Sequence, residues 1–423
     1  MMHRDNPLPV GTPNFDGLWI NDPVHHSYLR RDVARQLDFF RPMLRNDGGF
    51  DVLDFAGVPL GDGPQEIHTT ARMVHSYGLA KQFGYSDCDD VIDAGMDFLW
   101  NVHRDQINGG YFTSMQREGM PADDSKQAYG HVFVLLAAAT AKDAGHGDAD
   151  RLMADVTEVL QEKFWEGTYG RFADEFRADW APFSGYRGLN SNMHAVEAHL
   201  AAFEASDDGA YLDRAGRILD FFFHELPPQH EWRLPEHFST VWDVDEGYEG
   251  NPMFRPAGST PGHSFELSRL ALHHWDLSGR QDHTLVEKAR RLIGQAIKDA
   301  TLPEGGFAYT MENGQIGKAD RYWWPVTEAI GALAALQKVD PTAKDEALYR
   351  ALWVFCDSHF IDHERGGWFP EIDESGKPCA KQFHGKPDIY HSIQAGLFPP
   401  VPALSRHAKQ KLDAARVFPE KDL

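Results

Sequence analysis

The chain has 423 residues, and 64 Asp and Glu against 41 Lys and Arg leave a formal charge of −23. So acidic a surface repels nucleic-acid phosphates and anionic lipid, which argues against a nucleic-acid or membrane-surface partner. A hydrophobic fraction of 42%, with 12% aromatic residues, is enough to fill a sizeable core, so the chain is globular rather than disordered.

In chain order, apolar residues at spacings of three and four predict twelve helices: over 23–45, 64–84, 86–104, 123–145, 148–165, 190–206, 208–226, 261–279, 282–301, 323–340, 343–360 and 386–398. A thirteenth, short helix is expected over 405–416. Pro64, Pro261, Pro325 and Pro387 fall near first-turn positions, and Asp123 to Ser125 and Asn190 to Ser191 offer N-cap oxygens. The opening MMHRDNPLPVGTPNF has no apolar signal-peptide core, and no apolar stretch approaches the ~18 residues a membrane span needs. A cytoplasmic location is the expectation. Cys88, Cys356 and Cys379 are odd in number and far apart, which supports neither a disulfide framework nor a zinc knuckle.

Between the helix pairs a glycine followed by an aromatic residue recurs. Phe50, Tyr111 and Phe172 are spaced by 61 residues, as are Phe307 and Trp368. The interval from Phe172 to Phe307 is 135 residues, two periods and a surplus of 13, with Arg233 at the missing register. The Gly- and Pro-rich stretch from Asp243 to Gly262 is the place for the surplus. Length alone suggests two or three domains, but a repeat overrides that prior. Six helical hairpins stack as an open solenoid or close into a ring. An open array needs polar capping repeats, whereas the first hairpin carries Leu37, Phe39, Phe40 and Leu44 and the last Ile389, Ile393 and Leu397. The expectation is therefore all-α, a closed (α/α)6 barrel forming one domain over 1–423, with alternate helices as its inner ring and the pocket at its mouth.

The unusual polar residues bear on closure. Arg72 falls on the second predicted helix, Tyr129 and His131 on the fourth, His194 and Glu197 on the sixth, His263 and Glu266 on the eighth, Glu328 on the tenth and His391 on the twelfth. All lie on even-numbered helices, so an inner ring of even helices brings them to one cavity. His263 and Glu266 stand three apart on one helix face, where a carboxylate orients an imidazole. Each residue has a plainer reading. His263 and Glu266 are otherwise a surface pair, His131, His194 and His391 satisfied core histidines, and Arg72 and Glu328 each other's internal partner. Trp323 and Trp324 are core, or one is the flat wall on which a sugar ring stacks. His263, Glu266 and His391 are also a conceivable three-ligand metal set. There is no phosphate loop, dinucleotide fingerprint, GxSxG or HExxH.

Six stretches carry a resemblance: TARM (70–73), SKQAYGHVFVLL (125–136), GLNSNMHAVEAHL (188–200), GSTPGHSFELSRL (258–270), RYWWPVTEAIG (321–331) and GKPDIYHSIQ (385–394). In this order, over nearly the whole chain, they resemble the N-acylglucosamine 2-epimerase superfamily. The TPGH…E…RL form is most similar to its aldose–ketose isomerase branch, the mannose and sulfoquinovose isomerases. The resemblance implies an (α/α)6 barrel, a free monosaccharide substrate and no metal or other cofactor. It implies His263 and His391 as the acid/base pair, and Arg72, Asn190, His194, Glu266 and Glu328 as sugar-binding or histidine-orienting residues, beside a wall at Trp324. Two positions depart from the branch: Met253 stands where those isomerases carry a basic residue two before Arg255, and Pro387 replaces a polar residue before Asp388. The branch's recognition of the substrate's far end is thus not carried over.

On this reading the sugar opens, C2 loses a proton and a cis-enediol is reprotonated at C1. Imidazoles suit this because their ordinary pKa of ~6.5 lets them accept and donate at neutral pH. The expected roles are proton transfer between C2 and C1 by His391, ring opening by His263 oriented by Glu266, and enediolate stabilisation by Arg72 and His194. The alternatives are a sugar 2-epimerase of N-acylglucosamine or cellobiose type, a glycoside hydrolase or lyase using Glu266 and Glu328, and a non-catalytic sugar-binding scaffold. A homo-oligomer is compatible with all of them.

Overall fold

The computed structural model describes residues 9–61, 63–250, 255–312 and 314–407. Its long helices are α1 (Pro23–Phe40), α2 (Ile67–Gln82), α3 (Asp89–Phe98), α4 (Ala128–Asp143), α5 (Ala149–Val159), α6 (Leu189–Ser206), α7 (Gly209–Leu219), α8 (Pro261–Leu277), α9 (Leu285–Ala300), α10 (Trp323–Val339), α11 (Ala343–His359) and α12 (Tyr390–Leu397). The helix expected over 405–416 lies almost wholly outside the described residues, and Ser405 to His407 are not helical.

Burial sorts the helices into two rings. In α4 every residue from Gly130 to Ala141 is buried, the mark of a helix surrounded by protein. In α9 the buried residues are Leu285, Ala289, Leu292, Ile293, Ala296 and Ala300, a single stripe with the other face in water. The even helices α2, α4, α6, α8, α10 and α12 each pack on the next, and α12 packs on α2 to close the ring. Each of α3, α5, α7, α9 and α11 covers the outside of the even helix before it, and α1 packs on α12. The closed (α/α)6 barrel expected from the sequence is the fold. Among the described residues no helix is long and apolar enough to cross a membrane.

The 61-residue period has a backbone cause. After an outer helix the chain turns tightly and pairs Leu44 with Phe50, Arg104 with Tyr111, Trp165 with Phe172, Thr301 with Phe307 and Ile361 with Trp368. The turns place Gly48, Gly110, Gly170, Gly306 and Gly367 at φ of +66 to +86°, where a side chain is strained and glycine is not. The next inner helix is then started by a carbonyl from the following repeat. Ile67 N donates to Thr113 O, Ala128 N to Asp174 O, Leu189 N to Glu236 O and Trp323 N to Pro370 O.

This arrangement corrects several predicted starts. Gln65–Glu66 and Lys126–Gln127 are short extended segments paired with neighbouring loops, so α2 and α4 begin at Ile67 and Ala128 rather than at 64 and 123. The N-caps of α4 and α6 are Gln127 and Gly188, not Asp123 to Ser125 or Asn190 to Ser191. Helix α1 stops at Phe40 instead of 45 because Pro42 follows within a tight turn.

His131 proves structural. Its Nδ1 donates to Gln127 O at 2.7 Å and its Nε2 accepts from Tyr111 N at 3.0 Å, which fixes a neutral ring beside the Gly-aromatic turn. Burial pushes its pKa down to about 3. Because the folded pKa lies below the ordinary ~6.5, its stabilisation is complete above pH 6.5 and is lost as pH falls below it, at up to ~1.4 kcal/mol per pH unit. The expected result is a urea midpoint that falls steadily between pH 6.5 and 4; an unchanged midpoint across that range would contradict it.

Candidate active site

The residues singled out on the inner ring sit in the first two turns of their helices or just beyond: Arg72 on α2, Tyr129 on α4, Asn190, His194 and Glu197 on α6, His263 and Glu266 on α8, Trp324 and Glu328 on α10 and His391 on α12. The N-terminal ends of the six inner helices therefore converge at one end of the barrel, where their dipoles favour developing negative charge.

Two histidines are each anchored by a buried carboxylate. His391 Nδ1 donates to Glu328 Oε1 at 2.8 Å, and His263 Nδ1 donates to Glu236 Oε2 at 3.0 Å. In both rings this leaves Nε2 with its lone pair free, the form a general base requires. The indole of Trp324 neighbours both, tilted 35° to His263 at 5.2 Å and 34° to His391 at 5.7 Å. Gly262 makes that placement possible, since a Cβ there would come within 2.3 Å of the indole.

Glu236 is the residue sequence reasoning missed. Glu266 was expected to orient His263 across one helix face; instead the carboxylate comes from the preceding loop, 27 residues away, where it also accepts from Thr260 N. Glu266 turns toward α6, its Oε1 at 3.6 Å from His194 Nδ1. That separation is too long for a hydrogen bond, and both atoms are buried without a partner. Burial, then Glu328 and Glu197, hold the Glu266 carboxyl well above the usual carboxylate range, so it keeps its proton. Burial lowers His194 to about 4, so it is neutral and makes no ion pair with Glu197 or Glu266.

Arg269, on α8, is the hub beneath these groups. Its guanidinium lies 3.2 Å from Glu328, 3.8 Å from Glu197 and 4.0 Å from Glu266. Burial disfavours the ionised form of Glu197 and Glu328, but for Glu197 the His194 ring and Arg269, and for Glu328 Arg269 and His391, outweigh it and keep both below the usual range. Glu197 also accepts from Tyr390 Oη and from Gln394 Nε2. Arg72 is not paired with Glu328. It donates to Asp388 Oδ2 and to Tyr129 Oη, both at 2.9 Å, with its guanidinium between the rings of Phe133 and Tyr390 at 4.6 and 4.7 Å.

The structure thus brings His194, His263, Glu266, Glu328, His391, Arg72 and Trp324 to one chamber, and Asn190 lines the cavity that adjoins it. It does not assemble His263, Glu266 and His391 as a metal set. The groups close enough to share an ion are His194, Glu197 and Glu266, and Glu266, Glu328 and His391. In both, Arg269 already faces the carboxylates as the counter-charge, which disfavours a second cation. Met253 lies outside the described residues.

An inner-ring chamber with two anchored imidazoles, an aromatic wall and fixed cationic donors defines an (α/α)6 barrel equipped for acid/base chemistry. Residues 48–395 match the N-acylglucosamine 2-epimerase (GlcNAc 2-epimerase) family, and the chain belongs to it. It is 36% identical over 394 residues to a D-mannose isomerase of Thermobifida fusca, covering 91% of this chain and 96% of that protein. A crystal structure of a D-mannose isomerase superposes with a TM-score of 0.82 at 27% identity, covering 91% of this chain and 98% of the other. A cellobiose 2-epimerase of Dictyoglomus turgidum stands further off, at 23% identity over 79% of this chain and 86% of its own.

Proposed function

We propose that the chain is an aldose–ketose isomerase acting on a free monosaccharide, with D-mannose and D-fructose as the pair. The observation that carries this is the pair of carboxylate-anchored imidazoles, His391 on Glu328 and His263 on Glu236, both beside Trp324. The similarity to a D-mannose isomerase supports mannose as the sugar, and the lower identity to a cellobiose 2-epimerase makes 2-epimerisation the second reading. We place the enzyme in the cytoplasm as one domain.

The chemistry needs only this chain's residues. His263 Nε2 takes the O1 proton as the C1–O5 bond breaks and returns it to the ring oxygen, which leaves C1 as the aldehyde. His391 Nε2 takes the C2 proton, the C2–H electron pair becomes the C1=C2 bond, and the carbonyl pair moves onto O1 as an enediolate oxygen. The O2 proton passes to O1, C2=O forms, and the C1=C2 pair takes at C1 the proton carried by His391. Arg72, His194 and the protonated Glu266 donate to or orient the enediolate oxygens; Asn190 binds hydroxyls beside Tyr129; Trp324 packs on the sugar's apolar face.

Proton NMR of the purified enzyme with D-mannose in D2O tests this. Fructose should appear with deuterium at C1, diluted by direct transfer, and EDTA should not slow its formation. Glucose as the main early product, with no ketose, would make the enzyme a 2-epimerase; loss of turnover on chelation, restored by one divalent ion, would replace the imidazole mechanism with a metal one.

A further inference from the structure

Tyr129 bonds Arg72 and stands against His194, with ring centroids 5.4 Å apart. The same Tyr129, with Asn190 and Ser191, also walls a second cavity of about 330 Å³ on the side of α4 and α6. With C1 and C2 of an aldose held at His391 and His263, the C5–C6 end is assigned to this cavity, which Tyr129 joins to Arg72 and His194. The charges around it are lopsided. Glu66, Asp123, Asp174 and Glu175 supply four carboxylates, against Arg255 as the one guanidinium or ammonium among the described lining residues.

That one cation is already occupied. Arg255 Nη1 pairs with Glu175 Oε2 at 2.9 Å, and its guanidinium carbon lies over Tyr186 at 4.3 Å from the ring centre. Asp174 adds to the hold, its oxygens accepting from Gly188 N and Ser191 Oγ at 2.7 Å. Burial raises Asp174 to about 6, and burial with the Asp123 charge raises Glu66 to about 7.

We propose that Glu175, by sequestering Arg255, is a specificity-determining residue that admits sugars with an uncharged C6 end and rejects those bearing a phosphate or sulfonate there. The proposal rests on the isomerase reading. A neutral hydroxyl donates to the carboxylates already present. An anionic substituent must instead displace Glu175, whose side chain is only 9% exposed, and leave its charge buried and unpaired beside Asp174.

The test compares kcat/KM for D-mannose, D-mannose 6-phosphate and sulfoquinovose, the last two as a dianion and a monoanion of similar size. The wild type should favour mannose by ~1,000-fold or more, the scale of like-charge rejection. Glu175→Gln should reduce that ratio by ~10- to 100-fold, and Arg255→Met added to it should restore the ratio, because the gain runs through the freed guanidinium. Asp174→Asn is a second variant if Glu175→Gln does not fold. An anion turned over within tenfold of mannose by the wild type, or a ratio unmoved in both variants, would overturn the proposal. Calorimetric binding of the three sugars reads the same ratio without turnover, so failure to isomerise any of them counts against the isomerase reading alone.

Discussion

His391→Ala should leave the protein folded and lower ketose formation by ~100- to 10,000-fold, the range general base catalysis supplies. The substitution removes the one imidazole whose Nδ1 is fixed by Glu328 at 2.8 Å and whose Nε2 is thereby the free base. Glu328→Gln is the graded companion: an amide still bonds the ring but no longer stabilises the imidazolium that forms, so activity falls less. His263→Ala, which removes the Glu236-anchored ring, should be impaired on the cyclic sugar and partly bypassed by a substrate already in open-chain form. Stopped assays with mannose and circular dichroism check these results together. His391→Ala turning over within threefold of the wild type, with intact helical signal, would remove His391 from the proton path.

Arg269→Met should cost about 3–5 kcal/mol of stability, the usual result of removing one partner of a buried ionic cluster. The guanidinium is the counter-charge for Glu197 and Glu328 at 3.8 and 3.2 Å, with the protonated Glu266 at 4.0 Å, and without it two carboxylates face each other in a buried space. Methionine keeps most of the volume, so the loss is electrostatic rather than a cavity effect. Glu266→Gln in the Arg269→Met background should recover little, because Glu266 already carries its proton; Glu197→Gln in the same background should recover more. Urea midpoints of the three variants measure this. An Arg269→Met midpoint equal to the wild type would mean that the cluster neutralises itself by proton uptake alone.

The rings of the fold were legible because burial writes itself into helices. A run such as His131 to Ala141 has no polar face to offer water, whereas Leu285 to Ala300 has one. The 61-residue period was legible because its turns demand glycine at positive φ. Helix starts were not, since the residues before α2 and α4 pair with loops from other repeats, a contact with no local signature. The same blindness fell on the site. Sequence spacing offered Glu266 to His263 because the two share a helix face, and offered Glu328 to Arg72 as the obvious counter-charge. Closure of the ring instead delivered Glu236 and Asp388 from the segments that precede α8 and α12. A loop acid such as Glu236 in EWRLPEHF carries no periodicity that marks it. His131 went the other way, a conspicuous histidine whose two nitrogens serve a turn.

The carbonyls that start α2, α4, α6 and α10 each belong to the repeat that follows. No hairpin of this kind finishes its own inner helix, so a borrowed atom stands at the entrance to each of these walls of the chamber. In a linear stack, end units fray first and the middle outlasts them. A ring has no end unit. Withdrawing one hairpin strips the helix before it of its first acceptor and opens the chamber wall in the same event, so heat or denaturant should extinguish catalysis and helicity along one curve instead of leaving an inactive but still coiled remnant.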